Sequence, residues 1–577
     1  MDQKRLLMAI AISISILVGF QLLMPHSKPV PPTPIAAAPA TPAAVAAAAA
    51  ADTTQAVPRE VPRLSIKAPR VSGSISLLGA RIDDVVLADY RETIAANSPQ
   101  VHILEPRSEP QPYYVQFGWS APSGSTLKLP TSDTLWTGAG EVGPGKTALL
   151  TWNNSAGLIF TIEIGVDANY LFTVKQSVKN AAGETALLFP WARIRRDYTP
   201  STAGYYVLHE GMVGVLEGTL KEETYADAKS KGEKKAGIAL ESTGAGGWIG
   251  ITDKYWLIAL VPDQSAVLTS AYRHVSEAGK DRYQVDFVAK DPTSIAAGAE
   301  ASLTTRLFAG AKEVHLLDRY ESQEHIPHFD KAVDFGWYYW ITKPFFYAID
   351  WFYGITGNFG VAILIFTFII KLLFFPLANK SYRSMSKMKL LGPKMTELRE
   401  QYKDTPAELQ KATMALYKSE KVNPASGCQP LLIQLPVFFS LYKVIFVTIE
   451  MRHAPFFGWI HDLSDIDPTN IFNLLGLIPY DPGQISPYLH MGIWPLIMGI
   501  TMFFQQKLNP PPPDPMQAKL FQYMPILFTF MMAGFPAGLV IYWSWNNTLT
   551  MAQQWFIMRQ TNLSKGGARL VKAAEKS

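Results

Sequence analysis

One lysine stands inside an otherwise apolar run. In "FTFIIKLLFFPL", residues 366 to 377, nine apolar residues, a threonine and a proline surround Lys371. An ammonium at bilayer depth costs at least ~2.5 kcal/mol on insertion scales, so it either escapes to water or is put to use. Two readings stand side by side. In one, the flexible stem snorkels toward the headgroups. In the other, Lys371 projects into a wet cavity and serves as an electrostatic station for carboxylates. Other polar residues bear on the choice. Thr367 lies four residues before Lys371 and shares its helix face. Gln434 interrupts the apolar run "QPLLIQLPVFF". Trp543, Asn546, Thr550 and Gln553 step by three and four along a further run, with Asn547 and Gln554 beside them. A stripe of that kind facing lipid leaves amides unsatisfied, so it must face protein or water. Helix-packing glue explains one amide. Three polar-bearing runs, with no carboxylate to pair with the lysine before Glu450 at a boundary, favour the cavity.

Other chemistries find little support. His102, His209, His274 and His315 are scattered without a catalytic spacing, and they read as surface or structural groups. The one cysteine, Cys428, excludes an internal disulfide framework and a multi-cysteine zinc site. No Walker-type G-x-x-x-x-G-K-[ST] occurs, so no nucleotide, cofactor or metal is expected. The basic residues do not gather on an aromatic-bearing surface, which argues against direct nucleic-acid binding.

Five apolar runs must carry the polar residues: about 358–378, 430–450, 488–507, 520–535 and 538–558, the last two joined by the tight turn "GFPAG". Each approaches the ~20 residues a bilayer needs. The stretch 379–427 is rich in lysine and arginine, as is the tail 561–577, whereas 451–487 holds only Arg452 as a basic residue. Positive-inside reasoning therefore puts 379–427 and the tail in the cytoplasm. Residues 1–24 read as an uncleaved anchor, with Lys4 and Arg5 before an apolar stretch; cleavage in the following alanines is the alternative. The Pro/Ala-rich 25–57 lacks the large apolar residues of a core and reads as a tether. From 58 to 332, short runs such as "GLIFTIEIGVDANYLFTVKQSV" are punctuated by Gly, Pro, Asn and Asp, which predicts a large antiparallel sandwich on the far side of the membrane. The aromatic-dense 333–357, carrying Asp334, Lys343 and Asp350, suits a helix lying along the headgroups; a buried core helix is the plainer alternative.

The basic stretch has internal order. Met388, Leu391, Met395, Leu398 and Tyr402 follow steps of three and four, a short apolar seam that Gly392-Pro393 must kink or interrupt. "TPAE" at 405–408 reads as a capping box opening a second helix with Leu409, Ala412 and Leu416 on one face. Two short helices side by side make a cytoplasmic hairpin.

Four motifs in order, "FFPLANKSYRSMSKMKLLGPKM" (374–395), "NPASGCQPLLIQLPVFFSLYKV" (423–444), "APFFGWIHDLSDIDP" (454–468) and "DPMQAKLFQYMPILFTFMMAGFPAGLVIYW" (514–543), closely resemble the YidC/Oxa/Alb family of membrane-protein insertases. The core resemblance covers about 334–560, and the anchor, tether and β-domain look like the Gram-negative form. The resemblance implies a multi-domain membrane protein: five core transmembrane helices (358–560), an N-terminal anchor helix and a periplasmic β-supersandwich. It implies residence in the bacterial inner membrane with both termini cytoplasmic. It implies a non-enzymatic insertase and folding factor working through a hydrophilic groove in the inner leaflet. Lys371 occupies the position where the family usually carries arginine, a departure that keeps the charge but loses the bidentate fork. Thr367, Gln434, Tyr542 and Trp543 match further groove positions. The implied partners are nascent membrane proteins, the lipid bilayer, the Sec translocon (SecYEG and SecDF), and the ribosome or signal recognition pathway through the cytoplasmic loops and tail. A channel or carrier is the rival from another class, weakened by the lack of midplane carboxylates and of an inverted repeat. An anchored sugar-binding protein is a second rival. The stretch "DLSDIDPTNIFNLLGLIPYDPGQISPYLHMG" is longer than the pattern requires and has no assigned role.

Overall fold

Alternation builds the first half of the molecule. In the strand Leu158–Val166 the odd members Leu158, Phe160, Ile162, Ile164 and Val166 are buried and the residues between them are not, the period-two signature of a half-buried strand. The computed structural model describes residues 60–574, apart from 203–207, 278, 403–404, 421–428, 479, 481, 483–489 and 510–514. The expected anchor over 1–24 and the tether over 25–57 lie outside the described residues, as does Cys428.

Two antiparallel sheets, of ten and nine strands, lie in residues 63–311. The central strand Ala186–Arg196 is buried along nearly its whole length. It tolerates three arginines because each has partners: Arg193 donates to Gln116 Oε1 (2.5 Å), Arg195 to Asp197 (2.8 Å), and Arg196 to Asp253 (2.7 Å) and the Tyr225 hydroxyl (2.7 Å). A helix, α1 (Tyr225–Lys234), packs on one edge, its first turn capped by the Thr224 side chain. A second, α2 (Val314–Gln323), follows the last strand.

The second half is helical: α3 (Tyr339–Thr356), α4 (Phe359–Leu373), α5 (Phe375–Leu390), α6 (Gly392–Gln401), α7 (Pro406–Ser419), α8 (Gln429–Val447), α9 (Ile493–Leu508), α10 (Pro515–Met532) and α11 (Ala537–Ala574). The run expected to span as 358–378 is broken at Phe374, where α4 and α5 meet at 66°. Pro376 accounts for the break, because its ring clashes with the carbonyl four residues earlier and it offers no N–H. No single described helix is both long and apolar enough to cross a membrane by itself; the bent pair α4–α5 passes that test together. The chain past 560, read from sequence as a separate tail, continues α11 without interruption to Ala574.

Loop 449–470 collects the helix ends. Asn358, the N-cap of α4, donates to Phe456 O (3.3 Å); the backbone N–H of Ala537 and Gly538 at the start of α11 donate to Asp465 O and Leu463 O (2.7 and 2.9 Å); Trp494 N–H in α9 donates to Asp467 (2.9 Å). So α4, α9 and α11 start at this end, and α8 finishes there.

The aromatic segment is helical only from Tyr339, and its charges turn inward. Lys343 bridges Asp318 and Asp330 (2.9 and 2.5 Å), His315 meets Asp350 (2.9 Å), and Asp334 meets Lys443 of α8 (2.8 Å). Trp337, Trp340, Trp351 and Ile355 are left exposed. The exposed side of the segment is therefore aromatic, while its ionic side ties it to α2 and α8.

Candidate functional site

Lys371 sits in the last turn of α4, where its cation suits the negative end of the helix dipole. Its Nζ donates to Thr550 Oγ1 of α11 (2.9 Å) and to Gln434 Oε1 of α8 (3.3 Å). Gln434 uses its other end as well, donating Nε2 to the Tyr542 hydroxyl (2.7 Å). Thr550 passes its own proton to Asn546 O (2.7 Å), and Gln553 Nε2 donates to the Lys371 carbonyl (3.2 Å). One cation thus ties three helices together, and every group it touches is neutral. Among the described residues no carboxylate pairs with it. An ammonium has three N–H donors, and two are used.

The expected residues divide. Lys371, Gln434, Tyr542, Thr550 and, through its carbonyl, Asn546 form one bonded set. Thr367 does not join it: buried, it donates to Ile363 O one turn back in its own helix (2.6 Å). A threonine in a helix satisfies its hydroxyl this way when no outside acceptor is near. Trp543 packs edge-on against Phe438 (4.6 Å) and beside Phe528 (5.9 Å), an apolar contact between helices. Two further polar links lie on the other flank of α11: Asn547 donates to Thr501 (3.3 Å) and Gln554 to Asn509 (2.8 Å). The buried Asn546 Oδ1 and Gln554 Oε1 have no hydrogen-bond partner among the described residues. Sequence spacing alone missed Tyr542, although 542, 546 and 550 step by four along one face; Trp545, which donates to Leu364 O (3.1 Å), went unmarked as well.

In the basic stretch, α6 and α7 lie side by side, joined by Lys394–Glu420 (2.6 Å). Leu391 and Met395 are buried, and Met388, Leu398, Leu409 and Leu416 are half-buried. The capping box does not form. Thr405 is the N-cap and Pro406 the first helical residue, but the Thr405 side chain makes no cap hydrogen bond; its carbonyl takes Glu408 N–H instead (3.1 Å).

Fold and cluster together define a class: a two-part protein in which a large β-sandwich is joined to apolar helices that enclose a cation among neutral polar groups. Comparison with known proteins names the family. The family model described as "YidC periplasmic domain" matches residues 63–348, and the one described as "60Kd inner membrane protein" matches 351–565. Granulibacter bethesdensis has a "Membrane protein insertase YidC" 57% identical over 573 residues, covering 98% of this chain and 99% of that protein. A protein of the same description in Acidiphilium cryptum is 50% identical over 595 residues, again covering 98% and 99%. A solved structure, described as an active YidC insertase with the first transmembrane domain resolved, is similar over 86% of this chain and 93% of its own, at 16% identity and a TM-score of 0.35. The chain belongs to the YidC family of membrane protein insertases, and it is an insertase, not an enzyme.

Proposed function

We propose that the Lys371 cluster is the working part of the insertase, a polar station that receives the hydrophilic flank of a nascent membrane protein. The observation that carries this reading is the cation's bonding: among the described residues it has only neutral partners, with one N–H left over. A carboxylate from an arriving chain offers that ammonium a charge-assisted bond stronger than the ones it holds. Gln434 and Thr550 can then release it without stranding a charge, because neither is ionised. The flank's transfer cost falls, and the apolar helix behind it partitions into lipid between α4 and α8.

On this reading α4–α5, α8, α9, α10 and α11 cross the inner membrane five times, residues 1–24 add an anchor, both termini are cytoplasmic and the sandwich is periplasmic. The hairpin α6–α7, basic outside and apolar along its seam, meets the substrate first. The Sec translocon and the ribosome or signal recognition pathway are the partners that the loops and tail serve.

Reconstitution tests the station. Liposomes carrying the purified chain should insert a single-span substrate with an acidic translocated segment. Lys371→Arg should retain activity. Lys371→Met should lose about tenfold, worth ~1.4 kcal/mol, and Lys371→Glu more, while a substrate with a neutral segment is spared. Equal losses on both substrates would mean that Lys371 holds helices together and does not meet cargo.

A further inference from the structure

The described residues of the stretch left without a role in the sequence form a defined object. Its two ends are fastened at the start of α9 by one buried carboxylate. Asp467 accepts the Trp459 indole N–H (3.1 Å), the Thr469 hydroxyl (2.7 Å) and Trp494 N–H (2.9 Å), and a His490 ring nitrogen lies 2.8 Å from its carbonyl oxygen. Ile471 N–H donates to Met491 O (2.9 Å), closing the neck. Beyond the neck the chain turns on itself: Leu475, Leu477 and Ile478 N–H donate to Asn470, Leu474 and Asn473 carbonyls (3.0, 3.3 and 3.1 Å). The side chains point the other way. Phe472, Leu474, Leu475, Leu477 and Ile478 are 42%, 57%, 56%, 83% and 42% exposed. Not one charged residue occurs between Pro468 and Tyr480.

A contiguous apolar projection demands an occupant. We propose that Phe472–Ile478 is a hook immersed in the periplasmic leaflet of the bilayer, beside the start of α9. The inference rests on reading α9 as a membrane span. Two observations favour lipid. The hook is continuous with the lipid-facing surface, since its neck is hydrogen-bonded to the first turn of α9. And α9 is short: 16 residues rise ~24 Å, below the ~30 Å of a hydrocarbon core. A short span leaves acyl chains facing polar loop at one end, unless apolar surface is added there. The hook adds it, with several of its backbone N–H groups already bonded internally, as a segment at that depth requires.

Spin labels test this in the full chain, in a Cys428→Ser background reconstituted in liposomes. Nitroxides at Leu474→Cys and Leu477→Cys are compared with Ile500→Cys, exposed on α9, and with Ser125→Cys, exposed on the sandwich. Oxygen concentrates in lipid and a nickel chelate stays in water. The oxygen-to-nickel collision ratio at both hook positions should stand several-fold above that at Ser125 and approach that at Ile500. A ratio equal to that at Ser125 overturns the hook. So do labels hidden from both reagents, which would indicate a protein partner or a second copy on this surface. An aqueous ratio at Ile500 overturns it too, but through the span, and is distinguishable. If the leucine variants do not assemble, Phe472→Cys carries the same comparison.

Discussion

Lys371 is not the only lysine with a partly or fully buried side chain. Lys312, at the end of the last strand, is fully buried and donates to Thr252 Oγ1 (2.9 Å). Burial pushes its ammonium down to about 8, although Asp334, Asp253 and Glu210 act to hold it up. Burial likewise pushes Lys254 down to about 8, against the opposing pull of Asp462 and Asp465. The linkage has a definite sign. Between about pH 8 and 10 the unfolded chain keeps these protons and the folded chain has lost them, so stability rises with pH, by up to ~1.4 kcal/mol per unit for each lysine. Above that window the buried tyrosines, whose hydroxyls are held up by burial, reverse the trend because the unfolded chain ionises first. The urea midpoint of the β-domain in the detergent-solubilised chain, followed by near-ultraviolet circular dichroism, should climb from about pH 8 to about pH 10. Lys312→Met should raise the midpoint at neutral pH and flatten the climb. A midpoint insensitive to pH in both proteins would show that these ammonium groups reach water.

Helices in this protein approach closely where glycine allows it. A Cβ on Gly499 of α9 would lie 2.0 Å from Thr529 Oγ1 of α10, and one on Gly360 of α4 would lie 2.1 Å from the Phe456 ring. Gly499→Val should therefore push α9 off α10, at the ~1–3 kcal/mol typical of overpacking, and lower the thermal midpoint in detergent, whereas Gly354→Ala, with open space around it, should not. Equal midpoints for the two variants would mean that α9 and α10 do not pack as described. Contacts of this kind mark the limit of what could be read beforehand. The sandwich was legible because strand alternation and turn residues are local, and so were the helices, because apolar periodicity is local. The Lys371–Gln434–Thr550 set was half legible: lipid forbids an outward polar stripe, so the stripe had to turn inward. Which members meet was not legible, since that depends on helix rotation. Thr367 and Trp543 share sequence phase with the set but spend their polar atoms or rings elsewhere. The bend at Phe374 was hidden for a different reason. Pro376 stood near the expected end of a span, where a proline reads as a terminus, and the helix resumes after it.

At the scale of the whole molecule, the sandwich and the helices share a seam. Glu450 accepts the Val314 N–H at the start of α2 (2.9 Å), the Arg452 guanidinium donates to Arg91 O and Glu92 O (2.7 and 3.0 Å), and Lys254 Nζ lies 3.8 Å over the Phe446 ring. The seam is strongest around α2. Its Asp318 holds Lys343 and the Tyr347 hydroxyl of α3, its His315 meets Asp350, and its first N–H donates to Glu450 Oε1. The strands contribute less: the carbonyls of Arg91 and Glu92, and cation–ring contacts of Lys254 with Phe446 and of Arg452 with Tyr255 and Trp256 (3.8, 5.7 and 5.3 Å). Among the described residues, the hydrogen bonds of the Lys371 cluster all stay within the helices. Two truncations separate these parts. Removing 60–310 while keeping everything from 311 should preserve insertion, because α2 and its pairs with α3 remain. Removing 60–324 strands Glu450, leaves Lys343 with Asp330 as its one carboxylate and frees α3. At ~1–3 kcal/mol for each buried polar group left unpaired, that cost is a large share of the ~5–15 kcal/mol a domain typically holds. The second truncation should therefore show a lowered thermal midpoint and lose insertion at equal expression. If both truncations insert alike, α2 is no part of the insertase frame; if both fail while the proteins remain folded, the sandwich itself takes part in insertion.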